Sequence, residues 1–117
     1  MPTEPLVLKI NRTEEYQPLL EGRPATRGMR SGRVFLKPGE SCGQHSTGAH
    51  EEQLVFMAGR GTAYCGDPAQ GLEVAEGSIL YIPPHTPHDI HNTGPEPLVY
   101  IYCVAPVADA PAETPAP

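Results

Sequence analysis

The sequence of 117 residues has no tryptophan, no long apolar run and no window with an extended helical period of apolar residues. Because there is no bilayer-length apolar segment and no basic-plus-apolar leader, we expect neither a membrane span nor a signal peptide. Basic residues are also scarce, since 8 Lys and Arg stand against 14 Asp and Glu, leaving a net charge of −6. A net negative charge does not attract nucleic acid or an anionic membrane, so neither is an expected partner.

Cysteine is rare as well. Cys42, Cys65 and Cys103 are odd in number and lack CxxC spacing, so they do not form a disulfide framework. We interpret them as small buried side chains of a protein in the reducing cytoplasm. Cys42 has a second interpretation, because it lies three residues before His45 and would line the same cavity if that histidine belongs to a site.

Glycine and proline, in contrast, are abundant: 12 and 15 residues, a composition typical of a turn-rich β protein. Short strand candidates separated by Gly and Pro turns are residues 6–10, 26–37, 54–58, 62–65, 72–75, 78–82 and 97–104. About eight short strands without a helix predict a single all-β sandwich or barrel domain over residues 5–104. Residues 105–117 contain five Ala and four Pro and are predicted to be a flexible tail.

Two stretches carry candidate metal ligands. The first, residues 39–61, places His45, His50 and Glu52 within eight residues and continues into an apolar strand candidate. Alternate side chains of a strand share a face, so His50 and Glu52 point the same way, about 7 Å apart, and their side chains can converge on one ion. Exposed His and Glu beside a turn are also common without a metal, and this stretch alone leaves both interpretations open.

The second stretch, residues 77–92, contains a strand candidate, a proline turn and three histidines, His85, His88 and His91. Together the two stretches resemble the two motifs of the cupin superfamily. The positions at the family's spacing are, in chain order, Gly39, His45, Glu52, Gly59, Gly77, Pro83, His88 and Asn92. The resemblance implies a double-stranded β-helix, or jelly-roll barrel, that closes around a cavity.

The resemblance also implies that His45, Glu52 and His88 are metal ligands and that Asn92 is not. By strand parity His88 and Asn92 share a face, whereas His91 points to the opposite face unless the strand is bulged.

Two residues depart from the family's pattern. Thr47 stands where the family has its second histidine, and a hydroxyl is a poor substitute for imidazole. We predict that His50 replaces that histidine, giving one divalent ion held by His45, His50, Glu52 and His88. The alternatives are replacement by His85 or His91, or a water molecule held by Thr47 in a three-ligand site. His85 replaces a glycine of the family's turn, where the backbone favours a positive φ.

A site of imidazoles and one carboxylate suits a divalent transition metal, namely Fe, Mn, Ni, Co or Zn, without selecting among them. Four protein ligands on an octahedral ion leave two positions for a small organic substrate or O2. We therefore predict a small-molecule metalloenzyme such as a dioxygenase (an oxidoreductase) or an isomerase. The alternative is a non-catalytic module that binds or stores a small ligand, because one fold supports many functions. A general acid or base in the cavity would favour the enzyme, and the candidates are Tyr64, Tyr81, Tyr100, Tyr102 and His85.

Positive charge is concentrated in residues 23–37, which hold five of the eight Lys and Arg. A solvated strand face or a charged sheet edge accounts for such a segment. The alternative is that Arg30 or Arg33 points into the barrel and binds a substrate carboxylate or phosphate.

Residues 97–104 are apolar on both faces of their predicted strand. Such a strand is expected to be covered on both sides, and we predict that a second copy of the chain provides the outer cover. The expected assembly is a homodimer.

Overall fold

The computed structural model describes residues 4–108. Its nine strands are β1 Gln17–Glu21, β2 Arg30–Leu36, β3 His45–Ser46, β4 His50–Ala58, β5 Arg60–Cys65, β6 Gln70–Ala75, β7 Ile79–Ile82, β8 Pro87–His91 and β9 Leu98–Pro106. Within residues 4–108 no helix is long and apolar enough to cross a membrane.

The strands form two antiparallel sheets. The five-stranded sheet has the order β1-β2-β9-β4-β7, and the four-stranded sheet has the order β3-β8-β5-β6. Hydrogen-bonded neighbours often come from distant parts of the chain, as β2 and β9 do. This arrangement confirms the predicted all-β, jelly-roll fold.

Strand parity decides which side chains enter the space between the sheets. Along β4, Glu52, Leu54 and Phe56 are buried, while Gln53 and Val55 between them are exposed. The largest fully buried side chains of the core are Phe56, Leu54, Ile82, Ile90 and Leu98. Leu98 lies opposite Leu36, at one end of the β2–β9 ladder, whereas the other end pairs Val104 with Arg30. The two sheets enclose an apolar core and a cavity, and Arg30 and Val104 lie on the cavity wall.

One strand prediction is wrong. Residues 6–10 form no strand, and Val7 is 97% exposed. Their β-compatible composition is not sufficient, because a strand also needs a neighbouring edge with which to hydrogen-bond. The edge of β2 is taken instead by β1, Gln17–Glu21, which the sequence analysis did not identify.

The C-terminal strand is longer than predicted. Ala105 and Pro106 pair with Glu51 and His50 of β4, so β9 continues into the segment predicted to be a tail. Most of that predicted tail, residues 109–117, lies outside the described residues.

Candidate metal centre

Three predicted ligands meet between the two sheets. His45 on β3 lies directly opposite His88 on β8, with ring centroids 4.2 Å apart. Glu52 on β4 approaches the pair from the other sheet, and one ligand atom from each residue lies within 4.8 Å of the others. His45 is exposed, while Glu52 and His88 are buried, so the cluster opens to solvent on the His45 side.

Both imidazoles are held in one orientation and one tautomer. His45 Nδ1 lies 2.9 Å from the carbonyl oxygen of Gly43, and His88 Nδ1 lies 3.0 Å from that of Thr86. A carbonyl can only accept, so each Nδ1 carries the hydrogen and donates it. The lone pair of each imidazole is then on Nε2, as in histidines that ligate metals through Nε2.

His88 Nε2 is buried and has no hydrogen-bond partner among the described residues. It lies 3.3 Å from Glu52 Oε1, and the two side chains are 1% and 8% exposed. Burial by itself lowers the pKa of His88, but the Glu52 carboxylate and the Thr86 carbonyl outweigh burial and raise this pKa above its ordinary value. A buried lone pair that faces a carboxylate needs a positive charge between them, and a divalent cation meets that need. The donor set therefore fits a metal ion.

Thr47, at the position of the family's second histidine, has a structural role. Its hydroxyl donates to the carbonyl of Pro83 at 2.7 Å and accepts the backbone N–H of Thr86 at 3.0 Å. These bonds tie the residue after β3 to the proline turn that precedes His88. The Thr47 hydroxyl thus both donates and accepts a hydrogen bond within the protein.

The remaining histidines lie in different places. His50 is half-buried and lines the same cavity as Glu52, as strand parity predicts, but it is not part of the three-residue cluster. His91 lies on the other face of β8, with Nε2 3.0 Å from Asp89 Oδ2 and its ring edge against Tyr64. His85 adopts the expected positive φ, 54°, and is not among the side chains that line the cavity. The prediction that His50 is the fourth ligand stays a prediction.

The family model "Cupin domain" matches residues 32–104. The chain belongs to the cupin family. The uncharacterized protein MJ1618 of Methanocaldococcus jannaschii is 37% identical over 62 residues, which cover 53% of this chain and 48% of that protein. The chain thus spans about half the length of the curated relative that it matches.

Solved structures share the cupin fold. BH2720 of Bacillus halodurans has a TM-score of 0.75 at 25% identity, and the match covers 92% of this chain and 85% of that one. A Bacillus subtilis oxalate decarboxylase with Mn(II) centres has a TM-score of 0.61 at 23% identity, covering 64% of this chain and 21% of that one. The second likeness concerns the fold only.

Asn92 of this cupin is a structural residue, in line with its non-ligating position in the family. Its side-chain amide is buried, and Nδ2 donates to the carbonyls of Leu36 and Glu96 at 2.9 and 2.8 Å. Its Oδ1 accepts the backbone N–H of Gly94 at 2.9 Å. Asn92 thus joins the end of β2 to the loop between β8 and β9.

The cluster lies in a cavity of about 470 Å3. Apolar residues of both sheets line much of it, including Val34, Leu54 and Ile90. Such a volume, with a few polar groups on mostly apolar walls, suits a small organic molecule.

Cys42 also lines this cavity, as its second interpretation predicted. Its Sγ accepts the backbone N–H of Ile90 at 3.3 Å, and burial raises the pKa of the thiol. Cys42 is therefore a neutral thiol near pH 7 and not an activated nucleophile.

Two of the tyrosines nominated as acid or base, Tyr100 and Tyr102, line the cavity, whereas Tyr64 and Tyr81 do not. Burial is the largest of the causes that raise the pKa of both cavity tyrosines. They are therefore hydrogen-bond donors at neutral pH and not bases.

The two candidate anion-binding arginines face opposite sides of β2. Arg30 lines the cavity, while Arg33 is buried on the other face and donates to the carbonyls of Thr13 and Glu15. The sequence analysis missed Tyr16, which lines the cavity beside Tyr102. No local signal identifies Tyr16, because it lies outside both motifs.

Proposed function

We propose that this cupin binds one divalent transition metal at His45, Glu52 and His88 and uses it to convert a small organic molecule. The observation that supports this proposal is the meeting of one nitrogen from each of two imidazoles and one carboxylate oxygen within 4.8 Å, with both imidazole tautomers set by backbone carbonyls. In typical metal sites the ligands come from separate strands, and each ligating imidazole is oriented by a hydrogen bond that its other ring nitrogen donates.

The donor set favours a dioxygenase over an isomerase. Two histidines and one carboxylate leave coordination positions open and are the ligands of many non-haem iron oxygenases. A metal bound there would supply Lewis acidity or oxygen activation. Residues of the chain would position the substrate: the apolar walls exclude water, and the protonated Tyr100 donates a hydrogen bond. If His50 is not a ligand, it offers an imidazole beside the cluster.

The alternative proposal is a non-catalytic cupin that binds or stores a small ligand. Thr47 supports it, because the hydroxyl is engaged with Pro83 and Thr86 and does not replace the imidazole of the family's second histidine. A site with one imidazole fewer retains its metal less strongly.

Elemental analysis of protein purified without chelators or a polyhistidine tag tests the proposal. We expect close to one equivalent of a transition metal per chain, together with O2 consumption when small carboxylic acids, diketones or phenols are added. Stoichiometric metal without turnover of any of them would favour the binding module. A protein that takes up no transition metal even after incubation with each candidate ion would contradict the metal-site proposal.

We also propose a cytoplasmic location. The three cysteines are free thiols, and none forms a disulfide with another. Free thiols fit a reducing compartment.

We further propose a homodimer that pairs through the outer face of the five-stranded sheet. Ile79, Val55 and Ile101 form one cross-strand row on that face, and the side chains of Ile79 and Val55 are 64% and 38% exposed. Exposed apolar rows of this kind are typical of subunit interfaces.

Light scattering at micromolar concentration should give the mass of a dimer, and Val55→Glu should give that of a monomer because it places a charge in the row. Gln70→Glu adds the same charge on the exposed edge strand of the other sheet and should leave the dimer intact. A monomeric wild-type protein would contradict the proposal.

A further inference from the structure

The cavity wall beside the metal cluster carries a second group of polar side chains, Tyr16, Arg30 and Tyr102. Arg30 and Glu52 lie opposite Val104 on its two sides, so their Cα atoms are about 10 Å apart, two strand spacings, on one face of the sheet. Two long side chains at that separation leave room for a short ligand between the guanidinium and the cluster.

Tyr16 reaches the cavity because Gly32 leaves space for it. A Cβ at Gly32 would collide with the Tyr16 hydroxyl. The Tyr16 ring stacks on Tyr102, which lies opposite Gly32, and the two hydroxyl oxygens are 2.5 Å apart. One hydroxyl donates to the other, so the pair keeps one O–H for a ligand.

The segment that carries Tyr16 is held from the opposite face of β2. The buried guanidinium of Arg33 donates to the carbonyls of Thr13 and Glu15. The backbone before Tyr16 is therefore bound on the outer face of β2, whereas the Tyr16 side chain lies on the cavity side. These hydrogen bonds fix the backbone that carries Tyr16, and ordering before binding favours affinity.

Arg30 supplies the charge. Among the lining residues it is the only Lys or Arg, and Glu52 is the only Asp or Glu. The Arg30 guanidinium forms no hydrogen bond or ion pair within residues 4–108. In a chain of net charge −6, this cation beside a phenol donor is a local anion site, and guanidinium groups match the planar geometry of carboxylates.

We propose that Arg30 and the Tyr16–Tyr102 hydroxyl pair bind a carboxylate, so that the cavity takes a short acid with a carboxylate at one end and a second oxygen donor at the metal cluster. This inference rests on the proposed metal function, because the second oxygen group binds at His45, Glu52 and His88. It names a substrate class: short dicarboxylic acids and their oxo or hydroxy analogues.

Calorimetric titration with succinate and butyrate tests the inference, because butyrate has the same chain length and lacks the second carboxylate. Metal content is measured first in every protein, which is loaded with Co(II). In the wild type, succinate should bind at least about tenfold more tightly than butyrate, the usual effect of a charge-assisted hydrogen bond. Arg30→Gln should remove this preference. The double variant Tyr16→Phe/Tyr102→Phe keeps both rings and should reduce the preference about threefold to tenfold.

Arg27→Gln is the matched control, since Arg27 is exposed three residues away and does not line the cavity. It removes the same charge and should keep the full preference for succinate. Equal wild-type affinities for the two acids, or an unchanged preference in Arg30→Gln with its metal retained, would overturn the inference and leave the metal function standing. A wild-type protein that takes up no Co(II) would instead refute the proposed function.

Discussion

Replacing His45 or His88 by alanine should lower metal affinity by at least about 100-fold and leave purified protein almost free of metal. Each variant removes one of three donors, and the remaining imidazole and carboxylate cannot hold a divalent ion with comparable affinity. Glu52→Ala should have a similar effect, because it also removes the negative charge beside His88 Nε2. The measurement is metal content by elemental analysis, followed by titration of the metal-free protein with Co(II).

His91→Ala is the control for these variants. His91 lies on the same strand as His88 but on its other face, where its ring forms a hydrogen bond with Asp89. Its removal should therefore leave metal content unchanged. His50→Ala tests the predicted fourth ligand and should weaken metal binding strongly. Full metal content in His50→Ala would show that His50 is not a ligand, and full content in His88→Ala would contradict the site itself.

Asn92→Ala should destabilise the fold by about 3 kcal/mol, from the loss of three hydrogen bonds that leave backbone groups unpaired. The carbonyl of Leu36 is the most costly of these groups, because it lies at the end of a buried strand. For a domain of this size the expected decrease in Tm is roughly 10–20 °C. Thermal and urea unfolding of metal-free protein measure the effect without the stabilisation that a bound ion adds.

Thr93→Ala is the matched control for Asn92→Ala. Thr93 is the next residue, is exposed and makes only a long 3.4 Å contact with Thr62, so its loss should change stability by less than about 0.5 kcal/mol. The folded fraction of Asn92→Ala should keep its metal, since the Asn92 amide does not contact the carbonyls of Gly43 and Thr86 that orient the two histidines. A loss below about 1 kcal/mol would show that other groups or water replace the amide.

The cupin resemblance and strand parity together predicted much of the site. The resemblance to the two cupin motifs identified His45, Glu52 and His88, which the structure brings together. Strand parity placed His50 on the cavity side with Glu52, and placed His91 opposite His88. These predictions hold because alternation along a strand depends only on the backbone of that strand.

Parity does not decide which face of a strand is inside. Arg30 and Arg33 were equal candidates in the sequence, and only the pairing of β2 with β1 and β9 turned Arg30 to the cavity and Arg33 to the N-terminal segment. Thr47 likewise looked like a missing ligand. Its bonds to residues 83 and 86 join positions far apart in the chain, and no local pattern contains them.

The sequence by itself predicted the strand-rich fold from residue type and turn spacing, and its resemblance to the cupin motifs predicted the metal-ligand candidates and the positive φ of His85. Only the tertiary structure decided the tautomers of His45 and His88, the anchoring of Tyr16 over Gly32, and the place of Arg30 on the cavity wall. The physical reason is that these features depend on hydrogen bonds and packing between strands remote in sequence. Their register is set by burial of the whole core rather than by any one segment.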